Sequence, residues 1–140
     1  MADLGRPRGI KSPGEMWEHF LAYKRHIKQN PRIRIDYVGK DGDRMETPLE
    51  RPLTIEGFKN YCAENVCDIQ AYLNNRDSEY TDFSPIVTRI KEAIRQEQIE
   101  GGMVGMYNAS LTARINSLTE KTENKHEVEG AIKITMNLNK

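Results

Sequence analysis

The sequence holds little that would build a catalytic centre, a membrane anchor or a disulfide framework. Only two of its 140 residues are cysteine, Cys62 and Cys67. A zinc site needs four ligands, and no nearby Cys or His pair completes one, so the two read as buried, reduced thiols. No run of eighteen apolar residues and no signal-peptide pattern occurs, and the chain is expected to be soluble and intracellular. Phosphate-loop chemistry lacks its motif, because "IEGGMVG" (99–105) is not followed by the required Lys-Ser/Thr. His19, His26 and His126 are scattered. The first two share a helix face, but two turns apart is too far for one metal ion. The carboxylates do not pair in an apolar setting, and Ser84 and Ser110 have no base beside them in sequence. The reading is therefore a non-enzyme, with no cofactor and no metal: a binding protein.

Apolar residues are also in short supply. They make up 37% against 30% charged, with a mean hydropathy of −0.74. That is lean for one self-sufficient domain of this length, so burial against other chains is expected. The net charge of zero conceals a gradient. Residues 1–35 hold eight Lys/Arg against three Asp/Glu, residues 36–83 hold five against eleven, and residues 84–140 hold eight against seven. A polyanion should meet the N-terminal third and be repelled by the middle.

The first eleven residues, rich in Gly, Pro and Arg, predict a flexible basic arm. Ser12-Pro13-Gly14-Glu15 then reads as a helix start with a capping box, followed by Trp17, Phe20, Leu21, Lys24 and Ile27 at helical spacing up to Pro31. Ile33, Ile35 and Tyr37 alternate with Arg32, Arg34 and Asp36. "GKDGD" (39–43) turns the chain, and Met45, Thr47 and Leu49 alternate on the return, giving a β-hairpin over about 32–49. Thr54 starts a helix with Ile55, Phe58, Tyr61 and Cys62 inward, and "VCDIQAYLNNR" reads as a second one with Ile69, Tyr72 and Leu73 inward. Such a pair has the outline of a helix-turn-helix. Ser84 is placed as the cap of a long helix carrying Val87, Ile90 and Ile94, which Gly101-Gly102 should break or kink. Helical spacing resumes with Val104, Tyr107, Leu111, Ile115 and Leu118, completing a central helical hairpin over about 84–120. Its small residues Gly105, Ala109, Ser110 and Ala113 suit close packing, either within the chain or against neighbouring subunits.

A polar linker leads to "AIKITMNLNK" (131–140), where Ile132, Ile134, Met136 and Leu138 alternate with polar residues as in a strand. A lone strand needs a partner. A closed ring of identical strands from other copies would leave no edge, and that answer suits a strand on a linker better than pairing with the 33–49 hairpin. For DNA, "GRPRGIK" presents Arg6 and Arg8 on a thin segment. Lys11, Lys24, Arg25, Lys28, Arg32 and Arg34 extend the basic surface, whose binding should weaken steeply with salt.

The stretch "YLNNRDSEYTDFSPIVTRIKEAIRQEQIEGGMVGMYNASLTARINSLTEKTE" resembles the small terminase subunits, the DNA-packaging proteins of tailed bacteriophages of the short-tailed type. "SPGEMWEHFLAYKRHIKQNP" and "ERPLTIEGFKNYCAENV" extend the likeness over roughly residues 12–123, with "IEGGMVGMYNASLTARINSLTEKTE" its most specific piece. The resemblance implies a mainly helical protomer assembled into a homo-oligomeric ring of about nine subunits. The C-terminal strands of such a ring would close an intersubunit β-barrel. It further implies binding of double-stranded viral DNA at the packaging start, recruitment and regulation of the large terminase subunit, and no catalysis of its own. Work in the host cytoplasm, outside the mature virion and away from any membrane, is implied as well. Some relatives carry a basic DNA-contacting tail beyond the barrel. Here that role would fall to the N-terminal arm and first helix or to contact inside the channel, and the acidic 36–83 region disfavours groove reading by Gln70, Asn74, Asn75 and Arg76. Domains on this reading are a 1–11 arm, a 12–123 core and a 124–140 linker with an oligomerisation strand. The alternatives are a dimeric helix-turn-helix regulator and a ring-shaped adaptor that does not bind DNA.

Overall fold

A computed structural model describes residues 8–118 of the chain. Helix α1 (Pro13–Gln29) begins as its first residues demand: Ser12 takes extended backbone as the N-cap, and its Oγ accepts the Glu15 N–H at 3.1 Å. Glu15 reaches back, but to the Lys11 N–H at 3.0 Å, so the capping box closes one residue further out than the motif prescribes. That bond holds the Glu15 carboxyl below its ordinary pKa.

The buried face of α1 is Met16, Phe20, Tyr23 and Ile27. It is turned from the expected stripe, leaving Trp17 half-buried and Lys24 exposed. Tyr23 causes the turn. Its hydroxyl accepts the Thr54 N–H at 3.1 Å and donates to the Thr54 carbonyl at 3.2 Å, while its ring lies 5.6 Å from that of Phe58. A tyrosine whose polar tip finds two backbone partners can be buried whole. Phe20 meets Phe58 edge-on at 5.5 Å, and these rings join α1 to α2 (Ile55–Asn65). As expected, Thr54 caps α2, its Oγ1 accepting the Gly57 N–H at 2.8 Å, and Phe58 and Cys62 face inward.

The hairpin consists of β1 (Arg32–Val38) and β2 (Asp43–Leu49), antiparallel, with Ile33 opposite Pro48, Ile35 opposite Glu46 and Tyr37 opposite Arg44. Directly opposed residues share a face. The register therefore puts the Ile33, Ile35, Tyr37 row on one face and the Met45, Thr47, Leu49 row on the other. Both faces are exposed along their length, with only Asp36 and Thr47 half-buried.

Three expectations are corrected. The second helix of the supposed helix-turn-helix, α3, spans only Gln70–Asn74, ended by Asn75 at φ 46°. Five residues make about 7 Å of helix, too little to lie along a major groove. Ser84 is not a cap: a 3-10 turn (Thr81–Phe83) feeds straight into α4 (Ser84–Met103), Phe83 is the N-cap, and no side chain caps it. Nor do Gly101-Gly102 break α4, which runs through both. It ends at Met103, and the stop is made two residues on by Gly105, whose φ of +83° suits glycine. The Met106 N–H then reaches the Gly101 carbonyl at 2.8 Å and the Gly105 N–H reaches Gly102 at 3.2 Å, a Schellman stop. Asn108 caps α5 (Ala109–Ile115) by accepting the Leu111 N–H at 2.8 Å.

Packing also starts earlier than the expected arm boundary at residue 11. Ile10 is fully buried, and the Tyr72 hydroxyl pairs with both its N–H (3.1 Å) and its carbonyl (3.3 Å). The core is thus made of α1, α2, α3 and α4 with Ile10 and Leu53 inserted from the connecting segments. The expected strand at 131–140, with Ile132, Ile134, Met136 and Leu138, lies outside the described residues.

Candidate nucleic-acid interface

Of the eight basic side chains named from sequence, the seven within the described residues separate into two kinds. Arg8 and Lys28 are tied into the fold. Arg8 donates to Asp82 at 3.1 and 3.3 Å and to the Glu79 carbonyl, and its guanidinium lies 4.9 Å from the Tyr80 ring centre and 5.2 Å from that of Phe83. The hydrogen bond to Asp82 raises its already high pKa. Arg8 thus pins the start of the described chain to the loop before α4.

Lys28 sits at the centre of a polar cluster. Its Nζ donates to Glu97 Oε2 at 2.6 Å, to the Arg51 carbonyl at 2.8 Å and to the Tyr107 hydroxyl at 3.2 Å, and it pairs with Glu50 at 2.9 Å. Burial alone would lower its pKa, but the hydrogen bonds to Glu97, Glu50 and Tyr107 raise it. The Tyr107 hydroxyl donates to Glu97, whose other oxygen accepts the Leu53 N–H at 3.1 Å. Gln98 donates to the Leu53 carbonyl at 2.6 Å, so one turn of α4 satisfies both backbone groups of the segment returning from the hairpin. The cluster joins α1, that segment, α4 and the α4–α5 turn. Sequence reasoning had no access to it, since its members are up to 79 residues apart.

Lys11, Lys24, Arg25, Arg32 and Arg34 are exposed. Lys24 lies seven residues after Trp17, hence on the same flank of α1. That flank faces α4, where Arg89 stacks on Trp17 at 4.1 Å. Arg89 is a basic group missed from sequence, and an arginine at helical spacing on the partly buried side of α4 is the signal that was there. On the hairpin, Arg32 and Arg34 share a face, with Arg34 paired to Asp36 at 2.9 Å. Arg6 lies outside the described residues. The acidic side chains Asp68, Asp77, Glu79 and Asp82 flank Arg76 along the chain, as the charge gradient foretold. Among the residues expected from sequence to serve oligomerisation, Gly105 makes the turn, Ala109 is exposed and Ala113 half-buried. The close small-residue contacts between α4 and the α5 side are instead Gly101 against Tyr107 and Gly102 against Thr112.

Among the described residues no group of three or more His, Cys, Asp or Glu side chains could hold a metal. Cys62 is buried, Cys67 half-buried, and both are free thiols. Burial, with a smaller effect from Cys67, pushes the Cys62 thiol from 9.0 up to about 12, and burial followed by the Glu97 hydrogen bond pushes Tyr107 up to about 12. Both groups bind their proton more tightly folded than unfolded. Their contribution to stability is complete below the unfolded pKa and is lost as pH rises toward the folded one. The urea midpoint is therefore expected to fall between pH 9 and 11. Replacing Cys62 by Ala should make that fall shallower, by at most about 1.4 kcal/mol per pH unit. An unchanged slope would show that the thiol does not take part.

Two comparisons bear on function. The family model described as DNA-packaging protein gp3 matches residues 5–123. The chain is also similar to the small terminase subunit of Salmonella phage P22, 23% identical over 121 residues, covering 85% of this chain and 72% of that one.

Proposed function

We propose that this chain, which belongs to the DNA-packaging protein gp3 family and is a small terminase subunit, works as a ring-shaped, non-catalytic adaptor in phage genome packaging. The ring, of about nine copies, binds double-stranded viral DNA at the packaging start and recruits and regulates the large terminase subunit in the host cytoplasm. The observation that carries this reading is the family match, which takes in every described residue. The mainly helical fold agrees with it. Strands 131–140 from neighbouring copies pair into a barrel, with Ile132, Ile134, Met136 and Leu138 on one side. Gly105, Ala109 and Ala113 lie on the part of the α4–α5 unit that meets a neighbouring copy.

For DNA, the exposed cations serve and those tied into the core of the fold do not. Lys11, Lys24, Arg25, Arg32 and Arg34, with Arg6 ahead of them, meet phosphate, while Arg8 and Lys28 hold the fold that presents them. Repetition around a ring multiplies weak contacts through effective concentration.

Native mass spectrometry of the full chain beside one ending at Gly130 tests the assembly. One large closed oligomer, weakened or made heterogeneous by truncation, is expected. A dimer indifferent to truncation would favour the regulator and end the ring reading. DNA binding is tested on the same sample with Arg6, Lys11, Lys24 and Arg25 all changed to Ala. Affinity should drop, and the slope of log affinity on log salt should shrink by about one unit for each phosphate no longer neutralised. Undiminished, salt-sensitive binding would move the DNA site elsewhere, and no binding by the wild type would leave the DNA-free adaptor.

A further inference from the structure

We propose that the β1–β2 hairpin of one copy packs on the α4–α5 end of the next copy, head to tail, around the ring. This contact rests on the ring reading and lies within it.

Large apolar side chains left exposed among the described residues fall in just two segments. One is the hairpin, with Ile33, Ile35, Tyr37, Val38, Met45 and Leu49; the other holds Met103, Val104, Met106, Leu111, Ile115 and Leu118. Tyr37 is 69% exposed and Met103 79%. A soluble monomer gains nothing from such patches, and exposed apolar clusters of this kind mark contact surfaces.

The hairpin is the more telling of the two. Its register places an apolar row on each face, so its own core could cover only one of them. Both rows are exposed, and a two-stranded hairpin without a covering layer is marginal in water. Four of its six strand charges are already matched, Arg34 with Asp36 and Arg44 with Glu46, which leaves Arg32 and Asp43 outside these pairs. Little unpaired charge would have to be desolvated on docking.

The second patch suits a protein occupant rather than nucleic acid. Residues 103–118 contain a single charged side chain, Arg114, whereas phosphate recognition needs cations. Between Tyr107, Leu111, Thr112 and Ile115 lies a depression of about 190 Å³, which gives an apolar side chain a seat. A second copy is the fitting occupant, because one chain carries two unlike apolar surfaces. A two-fold contact would need one self-complementary patch. A head-to-tail contact needs two different ones, each used once per subunit, and gives a ring when the rotation between copies closes.

The test is photo-crosslinking of the full chain with Tyr37→p-benzoylphenylalanine, an aromatic replacement at an exposed position, in an equimolar mixture of 14N- and 15N-labelled protein. Mixed-isotope crosslinks from residue 37 to peptides within 103–118 are expected. In parallel, Ile35→Asp should raise the concentration at which the oligomer half-dissociates by about tenfold or more, with helical circular dichroism unchanged. Crosslinks to another copy's hairpin, to residues 119–140, or only within one chain would overturn this contact while leaving a large oligomer, and the ring reading, intact. A wild type that is monomeric at every concentration would overturn both.

Discussion

Glu97→Ala is expected to lower stability by about 3 kcal/mol, the largest loss expected from a single polar change in this fold. The carboxylate accepts three donors at once: the Leu53 N–H, the Lys28 ammonium and the Tyr107 hydroxyl. Alanine leaves the Leu53 N–H beside a fully buried side chain with no partner. It also removes one of the two carboxylates that hold Lys28, leaving Glu50 and the Arg51 carbonyl. Lys28→Met should cost less, about 1–2 kcal/mol, since the stem still packs and Glu97 keeps two donors. The pair of measurements separates structure from function. Urea midpoints at fixed protein concentration should fall for both variants, while DNA affinity per folded molecule stays near wild type. Lys24→Ala should do the reverse. If Lys28→Met keeps full stability and loses DNA affinity, the assignment of Lys28 to the fold is wrong.

Gly101→Ala should destabilise by about 2–3 kcal/mol, although in most helix interiors the same change stabilises by roughly 0.5–1 kcal/mol. The sign reverses because a Cβ at 101 would run into Cδ2 and Cε2 of the Tyr107 ring. The ring must leave, and its hydroxyl then abandons Glu97 and Lys28. Tyr107 also begins the connection that aims α5, so the positions of Leu111 and Ile115 depend on it. A double-mutant cycle gives the decisive comparison. In a Tyr107→Ala background, Gly101→Ala should become neutral or stabilising. If it costs as much there as in the wild type, steric exclusion by the ring is not the cause.

Much of this protein was legible in its residues because the signals are local. Ser12 and Thr54 cap because a hydroxyl three residues before a free N–H is enough. The hairpin's limits follow from alternation and a turn, and the small-terminase likeness lies in contiguous words of sequence. The non-local facts were not legible. Which face of α1 is buried depended on the Tyr23 hydroxyl meeting Thr54, 31 residues away. Whether Ser84 caps depended on the buried Phe83 carrying the chain from a 3-10 turn into α4. Arg8 and Lys28 look like Lys11 and Lys24 in a list of cations, since charge is written in the sequence but its partners are not.

By itself, then, the sequence determined where the first two helices start, where the hairpin turns, which third of the chain is basic and which family the chain resembles. All of these rest on interactions spanning a few residues or on composition. Only the tertiary structure decided which cations remain free, how the hairpin register distributes its apolar rows, and why Gly101 must be glycine. Each of those depends on groups brought together across many residues of chain, where the energy of a contact is set by geometry that no linear pattern records.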